Sequence, residues 1–224
     1  MKTARIAEIF ESFQGEGIYI GVKQLFVRFF GCNLACAFCD TPLTRFKEYT
    51  SEELREEILR YHGYHSLALT GGEPLYQVDF LEEFLEGLRD LKIKVYLETN
   101  GVLTAELKKI REFIDIIAMD FKLPSSTKKK PHWERHGDFL KACLEKEVFV
   151  KMVIAKATKK KDLLTAAGII KKIKADIPVV LQPNWFDMDM GLLKKLDSFK
   201  KDLLRSGLTR TRILHQAHKY AGIR

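Results

Sequence analysis

Residues 65–91, HSLALTGGEPLYQVDFLEEFLEGLRDL, contain a strand, a glycine-rich loop and a helix in that order. HSLALT (65–70) is an apolar run of strand length that stops at Gly71-Gly72, where the chain must turn. VDFLEEFLEGLRDL (78–91) then places its apolar residues at helical spacing. The same unit recurs on both sides. Upstream, LFVRFF (25–30) reads as a strand, and SEELREEILRYH (51–62) opens on Ser51 with glutamates in its first turn, a helix start. Downstream, strands at 93–99, 114–121, 148–154, 178–182 and 211–214 alternate with helices at 103–113, 137–146, 161–174 and 189–206. Residues 124–136, with Lys128 to Lys130, read as a basic loop. The alternation predicts a mostly parallel sheet wrapped by helices, α/β in class, in one domain over 1–224. About six units are too few to close an eight-unit barrel, so an open partial (β/α) barrel is expected, with a doubly wound sheet as the alternative.

Composition limits the function classes. The chain has 224 residues, 46% of them apolar and 30% charged, which is enough for a core and unlike a disordered segment. The net charge of +8 suits a nucleic acid, an acidic membrane surface or an anionic small molecule without choosing among them. No apolar run nears the roughly 18 residues that span a bilayer. The opening MKTARIAEIFESFQGEG has acids and glycines where a signal peptide needs apolar residues. A cytoplasmic protein with reduced thiols is expected.

Several loops at strand ends carry unusual chemistry: Gly31–Asp40, Thr70–Pro74, Glu98–Gly101, Asp120–Lys122 and Gln182–Trp185. In parallel α/β proteins the C-terminal strand ends are where sites are built. Of the four cysteines, Cys32, Cys36 and Cys39 stand in a C-x3-C-x2-C loop within 31–41, and Cys143 stands alone on a helix, where it reads as a small buried hydrophobe. In a reduced compartment such crowding means metal or redox chemistry. Zinc would need a fourth ligand, for which Cys143, His62 and Asp40 are available. A four-iron cluster on three thiolates would leave one iron open for an outside ligand.

The cysteine loop after a strand, followed by Gly71-Gly72-Glu73-Pro74 after a later one, resembles the radical S-adenosylmethionine (SAM) superfamily. The resemblance implies a [4Fe-4S] cluster on Cys32, Cys36 and Cys39 whose open iron chelates SAM. Reductive cleavage of SAM would then generate a radical that takes a hydrogen atom from substrate. Within the superfamily, Ile9-Phe10-Glu11-Ser12-Phe13-Gln14-Gly15-Glu16-Gly17, Phe26-Val27-Arg28, Gly31-Cys32-Asn33-Leu34 and Cys39-Asp40-Thr41 closely resemble the 7-carboxy-7-deazaguanine synthase family, of the pathway to 7-deazapurines such as queuosine. The ending, Gln216 to Arg224, looks like that family's as well. The implied reaction is a Mg2+-dependent, radical ring contraction of 6-carboxy-5,6,7,8-tetrahydropterin with loss of ammonia, SAM being regenerated. A lyase, a homodimer, an electron donor such as flavodoxin, and neither a nucleic-acid nor a membrane partner come with the resemblance.

It also implies site residues. Phe13, Gln14, Gly15, Glu16, Arg28, Thr70, His218 and Arg224 fall to the substrate. Gln14 offers an amide edge to a flat heterocycle, and the Glu16 carboxylate offers paired acceptors to an aminopyrimidinone edge. Arg28 lies mid-strand, where a charge needs a partner: a substrate carboxylate, or an internal acid. Thr41 is an oxygen ligand for Mg2+ or a turn-capping hydroxyl. Phe38, Asp40, Gly72, Glu73, Glu98 and Asn100 fall to SAM, as by position do Asp120-Phe121-Lys122 and Gln182-Pro183-Asn184-Trp185. Relatives commonly carry Ser-Pro-Lys and Gln-Pro-Met-Asp at the last two places, so Asp120, Phe121, Asn184 and Trp185 depart from the pattern. Two other classes compete: an activase for a glycyl-radical enzyme, which has no need of Phe13-Gln14-Gly15-Glu16-Gly17, and a basic zinc-containing nucleic-acid-binding module, which calls for clustered charge and aromatics on one face.

Overall fold

A computed structural model describes residues 2–39 and 44–223. The chain opens with an antiparallel pair, β1 (Thr3–Phe13) and β2 (Lys23–Phe29), with Phe10 opposite Phe26. The short β3 (Lys47–Thr50) pairs antiparallel with β1. From β2 onward every pairing is parallel, through β4 (Ser66–Gly71), β5 (Val95–Thr99), β6 (Ile116–Asp120), β7 (Glu147–Ile154), β8 (Val179–Pro183) and β9 (Thr211–Ile213). The sheet order β3-β1-β2-β4-β5-β6-β7-β8-β9 leaves it open at both ends. The crossovers carry α1 (Ser51–Ile58), α2 (Val78–Glu86), α3 (Thr104–Ile110), α4 (Pro124–Thr127), α5 (Trp133–Cys143), α6 (Lys160–Ile173) and α7 (Met190–Ser206), and α8 (Ala217–Ala221) follows β9.

Local chemistry sets the ends of these elements. The Thr50 side chain accepts from the Glu53 N–H while the Glu53 carboxylate takes the Thr50 N–H, a reciprocal cap that starts α1. Asp189 caps α7 at Leu192, and Gly207 ends it in the left-handed region at φ 100°. Three expectations need correction. The sheet begins at Thr3 rather than at residue 25, because β1 precedes β2. The 124–136 segment is not one loop: it holds α4 and the first residues of α5, since Pro124 suits a first helical position. Helices 78–91 and 103–113 each end early, their last residues forming 3-10 turns at Arg89–Leu91 and Arg111–Phe113.

Alternation along the strands divides the core in two. Leu25, Val27, Leu67, Leu69, Leu97, Ile117, Val150 and Leu181 face the helices in the larger cluster. Phe26, Ala68, Tyr96, Ile116, Ala118, Phe149 and Val180 form the smaller one on the opposite face, joined by Phe10 of β1. Among the described residues no helix is long and apolar enough to cross a membrane.

Candidate active site

The period of two that buries the smaller cluster also builds the site. Two residues beyond Phe26, Ala68, Tyr96, Ala118, Phe149 and Val180, on the same face, stand Arg28, Thr70, Glu98, Asp120, Lys151 and Gln182. Each strand thus gives an apolar residue to the plug and a polar one to the ring above it. Register keeps the ring level, with Arg28 beside Thr70 and Asp120 beside Lys151. All six line a cleft of about 690 Å³.

Hydrogen bonds tie the ring together. The Glu98 carboxylate accepts from the Gln14 amide at 2.8 Å and from the Thr70 hydroxyl at 2.6 Å. The same Gln14 amide donates to Gln24 at 2.9 Å, and Gln24 donates to Ser66 at 2.8 Å. Lys151 bonds Glu16 and lies 3.6 Å from Asp120, which also holds Lys122 at 2.8 Å. Burial would raise the Glu16 carboxyl, but the Lys151 ammonium and the Gln216 amide, 2.7 Å away, hold it down to about 2. Burial would likewise lower Lys151, and Glu16 and Asp120 raise it instead.

Two further segments complete the walls. The cysteine loop brings Cys32, Cys36, Phe38 and Cys39 to the cleft, where Lys122 lies 5.2 Å from the Phe38 ring centre. The C-terminal tail returns across Gly15: the Ala217 N–H donates to the Gly15 carbonyl at 2.8 Å, and a Cβ at Gly15 would fall 2.1 Å from His218 Nδ1. Gly15 is therefore a close-approach glycine.

Residues 26–156 match the radical SAM superfamily. A protein of Geobacter sulfurreducens named 7-carboxy-7-deazaguanine synthase is 35% identical, over 98% of this chain and 97% of its own length. The chain belongs to the 7-carboxy-7-deazaguanine synthase family. A protein of the same name from Archaeoglobus fulgidus is 33% identical over 99% of both chains. Among solved structures, QueE from Escherichia coli superposes with a TM-score of 0.66 at 18% identity, covering 96% of this chain and 95% of its own, a likeness of fold.

The radical SAM superfamily implies a four-iron cluster and SAM, and the residues present fit both. Three soft sulfur donors share one loop at the cleft wall. Among the described residues no three potential ligands already converge on a point, so the fit is one of donor chemistry. Burial raises the Cys32 and Cys36 thiols, the cost that iron coordination would offset. Cys143 is no fourth ligand: it is wholly buried in the core, its thiol pushed up by burial to about 12. His62 precedes β4 and so stands at the other end of the sheet. For SAM, the fit lies in three buried oxygens on the cleft wall without a partner in the protein: Asn100 Oδ1, Asp120 Oδ1 and Gln182 Oε1. An ammonium and ribose hydroxyls are the donors such acceptors lack.

Most of the expected site residues line this cleft: Phe13, Gln14, Gly15, Glu16, Arg28, Phe38, Thr70, Gly72, Glu98, Asn100, Asp120, Lys122, Gln182, Asn184 and His218. Asp40, Thr41 and Arg224 lie outside the described residues. Four expectations are corrected. Glu73 points inward, accepting from Asn100 N at 2.7 Å, Thr99 Oγ1 at 2.9 Å and Leu75 N at 3.2 Å, so its side chain braces the loop rather than facing the cleft. Phe121 is core, its ring 4.2 Å from that of His136. Pro183 is buried at the end of β8, and Trp185 packs edge-on against Tyr220 with ring centres 5.0 Å apart. Of the two partners expected for Arg28 the internal acid is present, Nε donating to Glu8 at 3.0 Å, and Arg28 still lines the cleft. Gly72 also lets the cysteine loop come close, since a Cβ there would fall 1.9 Å from the Gly31 carbonyl.

Sequence reasoning missed Lys151 and His136. Phe149-Val150-Lys151 repeats Phe26-Val27-Arg28, so the argument that singled out Arg28 applied equally to Lys151. His136 is buried and meets the Asn100 carbonyl at 3.1 Å through Nε2, pinning the β5 loop from α5. No spacing rule reveals it.

Proposed function

We propose that this chain converts 6-carboxy-5,6,7,8-tetrahydropterin to 7-carboxy-7-deazaguanine with loss of ammonia. The observation that carries this reading is the joining of Gln14, Glu16, the strand-end ring, the cysteine loop and the C-terminal tail around one cleft, in a chain that matches its named relatives over almost their full length. Cys32, Cys36 and Cys39 would hold the cluster and Asn100, Asp120 and Gln182 would hold SAM, and together these groups would supply one-electron chemistry for hydrogen abstraction at C6.

This chain's own residues bind and orient the substrate. Glu16 accepts from the aminopyrimidinone edge, fixed by Lys151 on one oxygen and Gln216 on the other. Gln14 is held by Glu98 and Gln24, so its amide keeps one orientation. Arg28 meets Glu8 through Nε, and a guanidinium has four further N–H donors for a substrate carboxylate. Tyr96, Phe149 and Phe26 close the floor against water. The reading includes a Mg2+ held by Thr41 with the substrate carboxylate, His218 and Arg224 as substrate contacts, a one-electron donor such as flavodoxin, a homodimer, a single domain and a cytoplasmic setting. Substrate deuterated at C6 tests it. Deuterium should appear in recovered SAM during turnover under anaerobic reducing conditions; product formed with no deuterium in SAM would refute abstraction at C6.

A further inference from the structure

Lys151 is a charged member of the strand-end ring that touches neither substrate nor SAM in the reading above, and its hold on one Glu16 oxygen has consequences for binding. It stands on the site face of β7, its side chain 15% exposed, and its ammonium bonds Glu16 Oε2. Asp120 Oδ2, 3.6 Å away, is its second neighbour, but Asp120 has a cation of its own in Lys122 at 2.8 Å. The other Glu16 oxygen takes the Gln216 amide. Both oxygens are thereby held, one by a cation from the floor and one by a neutral amide from the tail. Removing Lys151 would take from Glu16 its hydrogen-bonded cation, leaving His218 as a positive neighbour, while Asp120 would keep Lys122.

We propose that Lys151 is a positioning residue that keeps the Glu16 carboxylate ionised and aimed into the cleft, where it binds the donor edge of the pterin. This rests on the reading of Glu16 as a substrate ligand. The titratable groups around Glu16 are Lys151 on β7, Asp120 on β6, Glu98 and Tyr96 on β5, and His218 on α8. Two of these are carboxylic acids, so without Lys151 burial and like charge favour the protonated form, against the weaker pull of the Gln216 amide and His218 towards the ionised one. A neutral carboxyl spends one oxygen as a donor and no longer matches paired N–H groups. Substrate affinity then becomes dependent on pH, weak where Glu16 is protonated and recovering as it ionises.

The test is equilibrium binding of 6-carboxy-5,6,7,8-tetrahydropterin to the anaerobically reconstituted enzyme between pH 6 and 9, each variant compared with wild type at the same pH. Lys151→Met should bind at least about tenfold more weakly at pH 6 and approach wild type at pH 9. Lys151→Arg, which keeps the charge, should restore most of the loss. SAM affinity should stay within about threefold of wild type, since Asp120 retains Lys122. The double variant Glu16→Gln/Lys151→Met should bind no worse than Glu16→Gln alone. Iron content and circular dichroism verify folding, and Lys151→Gln is the second uncharged variant, with the same expectation, should the methionine one not fold. A loss that is equal at every pH and shared with SAM, or losses that add in the double variant, would overturn the proposal. Wild-type binding by Lys151→Met beside a clear loss in Glu16→Gln overturns it alone. Wild-type binding by Glu16→Gln overturns the assignment of Glu16 on which it rests.

Discussion

Glu73 is a fully buried carboxylate and Glu16 a largely buried one, yet they titrate in opposite directions. Glu16 has a lysine against it and is held down to about 2. Glu73 has only neutral donors in direct contact, and burial pushes it up to about 7 from 4.5. Between those two values the folded chain keeps a proton on Glu73 that the unfolded chain has released, so stability falls as pH rises through this window. The slope is at most about 1.4 kcal/mol per pH unit for one proton. Glu73→Gln should abolish that part of the slope while costing about 1–3 kcal/mol at pH 4.5, because an amide cannot accept from Asn100, Thr99 and Leu75 together. Urea unfolding of both proteins at pH 4.5 and 7.5 measures the difference. At Gly15 the constraint is steric: Gly15→Ala places a methyl on His218, so substrate KM should rise about tenfold or more with iron content unchanged. Such residues differ in how far the sequence discloses them. Arg28 could be singled out as a charge in the middle of an apolar strand, whereas Gln14 and Glu16 came with the family resemblance. Glu73 looked like a ligand for the same reason, and only the fold reveals that its carboxylate is turned inward.

The strands and helices of the crossover units follow from apolar periodicity, and their limits shift by a few residues where a final turn tightens. The elements that periodicity missed lie at the margins. β1 buries Ala4 and Ile6 against the larger cluster and Phe10 against the smaller one, changing face at the register irregularity between Ile6 and Glu8, so no single alternation runs along it. β3 and α8 are too short to carry a period. α8 and the residues before it nevertheless supply Gln216 and His218 to the cleft. The tail belongs to no sheet pairing, so a chain ending at His215 should fold, with Tm lowered by no more than about 5 °C. It should bind substrate at least about tenfold more weakly, having lost the Gln216 bond to Glu16 and the Ala217 bond to Gly15. Calorimetry and substrate binding check the two halves separately. Equal affinity in the truncated chain would remove the tail from the site.

At the scale of the whole molecule the fold serves one arrangement: parallel strands bring chemically different side chains to a common level, and the cysteine loop and the tail close around them. Counting the strand–helix units was enough to expect an open sheet, because six crossovers cannot close an eight-unit barrel. Which partners the ring residues bond was not readable, because Glu16, in the loop after β1, and Lys151, on β7, come from segments far apart in the chain. Cys32→Ala, Cys36→Ala and Cys39→Ala should each lose the cluster and SAM cleavage, whereas Cys143→Ala should keep both and cost about 1 kcal/mol of stability. Iron and sulfide analysis of the four variants distinguishes a three-thiolate centre from one that needs Cys143.

The most direct measurement is an anaerobic incubation of the reconstituted protein with SAM, a reductant, Mg2+ and 6-carboxy-5,6,7,8-tetrahydropterin, followed by mass detection of the product. The account predicts 7-carboxy-7-deazaguanine together with an equivalent of ammonia, more product than SAM supplied when SAM is limiting, and no product from Cys36→Ala. Unchanged pterin from a protein that holds its cluster and cleaves SAM would contradict it.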